Sequence, residues 1–357
     1  MLLRRISQEI KQILRGSYKE IGGKMLKRPK ILVAGSFNMD LTASCTRAPR
    51  LGETVIGKKF RTAPGGKGFN QAVQCSRLGA DVTMVGKVGA DDFGKALLDA
   101  AKGEGIDISH VLVDPEEATG IALITLEETD EGTQNRIVVC PGANFTISVQ
   151  EIEWLRGSVR DYDMVIMQFE LPMQIVETIA EWAYEAGVPV MVNPAPAAPI
   201  SDRLLHAVTF LSPNEHEAAI LSGHPISVEN GIDYDDVQAV ADAFQKRGVK
   251  NLIITMGGNG SVTVGENGIH HTACVKMPSV ADPTAAGDSF VAAFCTVLAA
   301  GLPAGKALDF ASHAAAITVT RMGAMPSLPK ITEVQELLRE RVYADFDLSF
   351  LDVLHRI

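Results

Sequence analysis

The residues best equipped for chemistry lie late in the chain, in Ala281-Asp282-Pro283-Thr284-Ala285-Ala286-Gly287-Asp288-Ser289-Phe290. The apolar run that follows, Val291-Ala292-Ala293-Phe294-Cys295-Thr296-Val297-Leu298, propagates easily as a buried helix. Small residues at 285–287 let the backbone turn tightly into that helix, leaving unpaired amides that attract an anion. An acid in the first turn suits the helix dipole. Asp288 would nevertheless repel a phosphate, unless its task is to accept a proton from the group that attacks that phosphate. Anion hole plus carboxylate is the minimum apparatus for phosphoryl transfer to an alcohol. An ordinary acid at a helix start would look the same over these ten residues.

A second stretch, Pro64-Gly65-Gly66-Lys67-Gly68-Phe69-Asn70, leads into a helix expected over residues 71–78. Three glycines around a lysine make a tight backbone whose amides can approach a ligand. The spacing fits neither the GxxxxGK[ST] phosphate loop nor the dinucleotide GxGxxG. Asn70 in the first helical turn could grip the hydroxyls of a small polyol.

These stretches must be positioned by a scaffold, and the pattern supplies one. Ile31-Leu32-Val33-Ala34-Gly35 reads as a buried strand, ending in Ser36-Phe37-Asn38-Met39-Asp40. Further strands are expected at 82–88, 164–167, 188–192, 207–211 and 252–255, with a meander over 260–275. Helices are expected from 91 to about 102 and at 173–186, 237–245, 306–320 and 331–341. Recurrent βα units imply a mostly parallel sheet covered on both faces, with ligands at the C-terminal strand ends. Polar residues collect there: Gln168-Phe169-Glu170, Asn193-Pro194-Ala195-Pro196, Asn214-Glu215-His216-Glu217 and Thr255-Met256-Gly257-Gly258-Asn259-Gly260. Residues 41–60 and a hairpin over 119–139 read as a second, small sheet inserted between βα units. It is either a lid over the cleft or a static edge hairpin.

At 357 residues the chain has room for one large α/β domain with a small companion. A net charge of -10 argues against a general nucleic-acid binder. The five cysteines (45, 75, 140, 274 and 295) form no CxxC, which fits a reducing, cytoplasmic setting. Tight His/Cys metal clusters and apolar runs of membrane-spanning length are both absent. Asn144-Phe145-Thr146 matches a glycosylation acceptor but is expected to be inert. The first thirty residues carry nine Lys/Arg against Glu9 and Glu20. There Leu2, Leu3, Ile6, Ile10, Ile13 and Leu14 recur at helical spacing, so residues 1–29 read as a basic extension without catalytic role. Organelle targeting is the alternative.

Together, Gly65-Gly66-Lys67-Gly68-Phe69-Asn70-Gln71-Ala72 and Asp282-Pro283-Thr284-Ala285-Ala286-Gly287-Asp288 resemble the two signature motifs of the ribokinase family of sugar and nucleoside kinases. Asn193-Pro194-Ala195-Pro196 is similar to the sugar-kinase branch. The resemblance covers residues 30–342 and leaves 343–357 as a C-terminal tail. It implies a three-layer α/β/α domain with a mostly parallel central sheet and an inserted β-sheet lid, at 41–62 and 118–140.

It also implies residue roles. Asp288 would be the general base, and the amides of Ala285, Ala286 and Gly287 the anion hole. Ribose would lie on Asn38, Asp40, Gly66, Lys67, Asn70 and Glu170, with Asp40 the residue to watch for pentose identity. ATP would occupy Asn193, Asn214, Glu217, Thr255, Gly257, Gly260, Gly287 and Ser312, with Asn193, Asn214 and Glu217 near hydrated Mg²⁺. Asp282, Thr284, Thr318, Arg321, Gly323 and Ser327 match a monovalent-cation (K⁺) site. Pro283 and Phe69 depart from the usual family residues, and His313 matches no role.

The implied reaction is ATP-dependent phosphorylation of D-ribose on its 5-hydroxyl, by a homodimer joined through the lid sheets. A kinase for 2-deoxyribose, another sugar or a nucleoside is the nearest alternative. A non-catalytic sugar-binding regulator is the distant one.

Overall fold

The computed structural model describes residues 18–21, 24–129, 132–228, 231–266, 268–341, 351 and 353–355. The stretch expected to be amphipathic, Leu2 to Leu14, lies outside the described residues. A hairpin of β1 (Tyr18–Ile21) and β2 (Lys24–Lys27) comes first, and its Lys27 amide donates to the Ala300 carbonyl at 3.3 Å. In β3 (Lys30–Ala34), Ile31 and Val33 enter one apolar core while Leu32 and Ala34 enter the other. That is the period of two expected where both faces of a strand are covered.

The chain leaves the body as β4 (Asn38–Cys45) and β5 (Lys59–Gly65). It returns through α1 (Lys67–Arg77), β6 (Asp81–Gly89), α2 (Asp92–Gly103) and β7 (Val111–Asp114). It leaves again as β8 (Gly120–Thr129) and β9 (Gly132–Cys140). Then come α3 (Leu155–Ser158), β10 (Met164–Gln168), α4 (Met173–Ala186), β11 (Val190–Asn193), α5 (Asp202–Ala207) and β12 (Phe210–Leu211). After these follow α6 (Glu215–Ser222), α7 (Tyr234–Gln245), β13 (Leu252–Thr255), β14 (Ser261–Gly265) and β15 (Gly268–Thr272). The final helices are α8 (Ala286–Ala299), α9 (Ala304–Thr318) and α10 (Ile331–Glu340).

The large sheet runs β15-β14-β13-β12-β11-β10-β3-β6-β7 and is parallel except at β14 and β15. Helices pack on both faces, giving the three-layer α/β/α fold. A separate sheet runs β5-β4-β8-β9, so the two excursions of the chain pair with each other, β4 parallel to β8.

Three local expectations shift. Residues 207–211 are not one strand: Ser201 caps α5 by accepting from the Leu204 amide at 3.2 Å, and the strand shrinks to Phe210–Leu211. Asn38 and Asp40 already belong to β4, so the small sheet begins at 38 rather than 41. Helix α1 begins at Lys67, four residues earlier than its apolar pattern suggests. In the tail, Leu351, Val353 and Leu354 are core residues. Gly79 (φ +98°) yields space to them: a Cβ there would sit 1.8 Å from the Leu354 carbonyl oxygen.

Candidate active site

Helix α1 starts against the end of β3 at a separation only glycine permits. A Cβ on Gly68 would lie 2.4 Å from the Ser36 nitrogen, and one on Gly65 would lie 2.5 Å from Asp40 Oδ2. The glycines therefore serve chiefly to seat the loop. Its amides have protein partners: Lys67 N donates to Glu170 Oε2 at 3.0 Å, Gly68 N to Ser36 Oγ at 3.3 Å and Phe69 N to the Ser36 carbonyl at 2.9 Å. Phe69 is fully buried, its ring 5.6 Å from that of Phe37, and so packs behind the site.

Along α1 the polar side chains recur at 67, 70, 71 and 74. Asn70 Nδ2 donates to Asp288 Oδ2 at 3.0 Å, and Gln71 Nε2 donates to Asp288 Oδ1 at 2.9 Å. Gln168 Nε2 in turn donates to Gln71 Oε1 at 2.5 Å, which fixes the amide's orientation. Gln74 Oε1 accepts from Ser289 Oγ at 3.1 Å, tying α1 to the start of α8. Asn70 Oδ1 is buried without a partner, an acceptor that an arriving hydroxyl would satisfy.

Asp288 is thus a buried carboxylate held by two amides. Burial raises its pKa, while Lys67, Gln71 and Asn70 partly oppose that. Burial would lower the Lys67 pKa, but Asp288, Glu170 and Glu217 outweigh it and raise it. One ammonium therefore serves three carboxylates.

Ala285, at φ 62°, is the only non-glycine residue with positive φ among those described. A left-handed alanine costs about 1 kcal/mol or more, strain of the kind concentrated at functional sites. The turn frees the start of α8 unevenly. Ala286 N donates to the Pro283 carbonyl at 3.2 Å, whereas the amides of Ala285 and Gly287 have no backbone acceptor among the described residues.

The polyol side of the cleft gathers Asn38, Asp40, Gly66, Lys67, Asn70 and Glu170. Glu170 Oε2 accepts from Ser36 Oγ at 2.5 Å, from Asn38 Nδ2 at 3.4 Å and from the Lys67 amide, which leaves Oε1 for a ligand. Asn38 Oδ1 accepts from Asn144 Nδ2 at 2.9 Å. Asn144 also exchanges bonds with the Phe37 backbone, its Oδ1 accepting from Phe37 N at 2.8 Å and its Nδ2 donating to Phe37 O at 2.9 Å. The sequon asparagine is accordingly a fully buried clamp behind the cradle. Burial first, then Glu170 and Asp288, raise the Asp40 pKa from 3.8 to about 7.

The opposite side holds a cavity of about 210 Å³ lined by Lys67, Asn193, Asn214, Glu217, Ala285 and Asp288, among others. Asn214 Oδ1 caps the Glu217 amide at 2.8 Å while Glu217 Oε2 accepts from Asn214 N at 2.9 Å, a reciprocal capping box. The pair therefore builds α6 and still presents Glu217 Oε1 to the cavity. Thr255, Pro283 and Gly287 also border the adjoining cavity of about 450 Å³, whose wall includes Gly257, Gly258, Gly260 and Ser312. No cluster of three or more His, Cys, Asp or Glu suited to a metal occurs among the described residues. Mg²⁺ that arrives with phosphates needs only one or two carboxylates, so a metal cluster is not required for it.

Around Asp282, Oδ1 accepts from Thr284 N at 3.0 Å and Thr284 Oγ1 at 2.6 Å, and Oδ2 from Gly323 N at 2.9 Å. The remaining side chains of the expected cation set turn elsewhere. Thr318 Oγ1 donates to the Ala314 carbonyl at 3.0 Å, Ser327 Oγ to the Ala324 carbonyl at 2.7 Å, and Arg321 pairs with Glu333. Thr318 and Ser327 therefore spend their hydroxyl protons on their own helix or turn, and Arg321 is held by Glu333.

The cleft thus joins a polar cradle to a polar-lined cavity, with the Asp288 carboxylate bordering both. The family model for pfkB family carbohydrate kinases matches residues 28–331, and the chain belongs to that family. It is 39% identical over 314 residues to a ribokinase of Schizosaccharomyces pombe, spanning 85% of this chain and 96% of that protein. It also resembles the solved structure of Arabidopsis thaliana ribokinase complexed with ribose and ATP. The TM-score there is 0.78 at 33% identity, covering 87% of this chain and 99% of that one. A deoxyribokinase of Salmonella typhi is 30% identical over 309 residues, 86% of this chain and 98% of that protein.

Proposed function

We propose that this kinase transfers the γ-phosphoryl group of ATP to the 5-hydroxyl of D-ribose. The observation carrying this reading is Asp288, buried at the start of α8 between the hydroxyl cradle and the phosphate cavity, with the free amides of Ala285 and Gly287 beside it. Asp288 orients the attacking hydroxyl and takes its proton as the O–P bond forms. Those two amides and Lys67 receive the charge that develops on the migrating group. Asn193, Asn214 and Glu217, which line one cavity, would hold hydrated Mg²⁺, and the ion would supply neutralisation of the phosphate charge. The large glycine-rich cavity takes the adenosine part, with Ser312 against the base.

Asp40 tilts the choice from deoxyribose to ribose, because an analogue lacking a hydroxyl leaves a buried acceptor unpaired. Side-by-side assays with D-ribose, 2-deoxyribose, fructose and adenosine test this, and a preference for anything but ribose overturns it. Sugar affinity should also depend on pH. Below about pH 7 the empty site holds Asp40 protonated, so accepting hydroxyl bonds on both of its oxygens requires releasing that proton. Ribose binding is expected to weaken about fivefold between pH 7 and pH 6 and to flatten above pH 8. The sign for stability is opposite to that of a salt-bridged acid: the sugar-free protein loses stability as pH rises from about 4 to about 7. Calorimetric titration across that range checks the first effect, and an unchanged slope in Asp40→Asn would count against it.

K⁺ is proposed to bind on backbone carbonyls of the 282–284 and 318–327 loops and to stiffen the anion hole. Turnover in potassium should exceed that in sodium severalfold, and equal rates would refute the site. We also propose a homodimer through the small sheets, which act as the lid. Strand register places Phe60, Leu123 and Val138 on the face turned away from Asp40, exposed at 68%, 44% and 60%. Light scattering should report a dimer, and Val138→Glu should yield monomers. Among the described residues no helix is long and apolar enough to cross a membrane. The five free cysteines support the cytoplasm as its setting.

A further inference from the structure

We propose that Gln71 is a positioning residue for the transfer: its side-chain amide anchors the Asp288 carboxylate to the ends of two strands of the large sheet. The proposal rests on reading Asp288 as the general base. The Gln71 amide is fully buried, and its two N–H groups and its carbonyl are all used. Nε2 donates to Asp288 Oδ1 at 2.9 Å and to Asn193 Oδ1 at 3.3 Å, while Oε1 accepts from Gln168 Nε2 at 2.5 Å. Gln168 and Asn193 are register partners at the ends of β10 and β11, so one side chain bridges from the sheet to the acid. Asn193 is itself held, its Nδ2 donating to the Ser212 carbonyl at 2.8 Å.

The direction of this chain of bonds is forced. An ionised carboxylate only accepts, so Gln71 must turn its NH₂ to Asp288 and its carbonyl to Gln168. Gln168 must then offer its own NH₂, and its Oε1 is left buried without a partner. Close packing holds the amide there, since a Cβ on Gly35 would lie 2.2 Å from that oxygen. Buried polar atoms are nearly always satisfied, so an orphaned acceptor marks a place where stability yields to another demand. Here the demand is aim. Asp288 follows the strained turn at Ala285, and two bonds from α1 set the plane of its carboxylate, Asn70 on Oδ2 and Gln71 on Oδ1. Of the two donors, Gln71 is the one tied to the sheet.

The same bond acts on the charge of the acid. Burial above all, with Glu170 beyond β10, Glu217 on α6 and Asp40 on β4, disfavours the ionised form. Lys67 on α1 and the amides of Gln71 and Asn70 favour it. Removing the Gln71 amide therefore raises the Asp288 pKa.

Gln71→Met keeps most of the volume and removes both donors. In the full-length protein, kcat for ribose at saturating ATP is expected to fall about 10–100-fold, with KM for ribose within a few-fold of wild type. The acid limb of log kcat against pH should move to higher pH, because that limb reports the base in the substrate complex. A variant weakened only in its folding loses kcat by the same factor at every pH and leaves the limb in place. Gln168→Met should lower kcat several-fold in the wild type and not at all in the Gln71→Met background, because the two glutamines act as one chain. Near-normal kcat in Gln71→Met, a loss with an unmoved limb, or additive losses in the double variant would each overturn the proposal. If Gln71→Met does not fold, Gln168→Met alone decides, by whether its limb moves. Should Asp288→Asn turn over normally, the base assignment fails first, whereas an inactive Asp288→Asn beside a normal Gln71→Met sinks only the role of Gln71.

Discussion

Exchanging Asp288 for asparagine is expected to lower ribose turnover by about 10²–10⁴-fold, the usual worth of a positioned general base. Ribose affinity should stay within a few-fold of wild type, because the cradle of Asn38, Asp40, Asn70 and Glu170 is untouched. Two terms act on the fold itself. The carboxylate's pKa is raised chiefly by burial, so ionisation costs more there than in water and a neutral amide removes that cost. Against this, the new NH₂ faces a donor, either the Asn70 or the Gln71 amide, and one hydrogen bond is lost. The opposing terms are each about 1–3 kcal/mol, so the variant should melt near the wild type. Paired kinetics and thermal unfolding check this: a folded variant with near-normal turnover refutes the base assignment.

The second large effect lies far from the chemistry. Removing residues 342–357 strips Leu351, Val353 and Leu354 from the core that also holds α1 and α8. At about 1.5–3 kcal/mol for each fully buried apolar side chain, the loss should be roughly 5 kcal/mol. That is comparable with the whole stability of many domains. Urea denaturation should show it, and Leu354→Ala alone should cost about 2–5 kcal/mol. A shortened chain within 1 kcal/mol of full length would show that these contacts are dispensable.

What the sequence made legible, and what it hid, divides by range. The small residues before Asp288 and the glycines around Lys67 impose local backbone geometry, so they can be read from neighbours alone. The βα alternation is likewise a local pattern, and the parallel sheet follows from it. Gln71 carries no such mark, since its meaning lies in Asp288 and Gln168, 217 and 97 residues away. The one available signal was the polar stripe 67-70-71-74 on a helix that turns out to be buried. Asn144 looked like an inert sequon because its partners Phe37 and Asn38 come more than a hundred residues earlier. For the cation loop, the residue types matched while the side chains of Thr318, Arg321 and Ser327 serve their own surroundings. The tail gave little warning either, since a few apolar residues at a chain end have no periodicity to read.

Strand β4 belongs to the small sheet and also carries Asn38 and Asp40. The proposed lid and two of the proposed sugar contacts therefore share one continuous strand. If that sheet spends only part of its time closed, the measured affinity equals the intrinsic affinity scaled by that fraction. Changes on its outer face, at Phe60 for example, would then shift KM for a sugar they never touch.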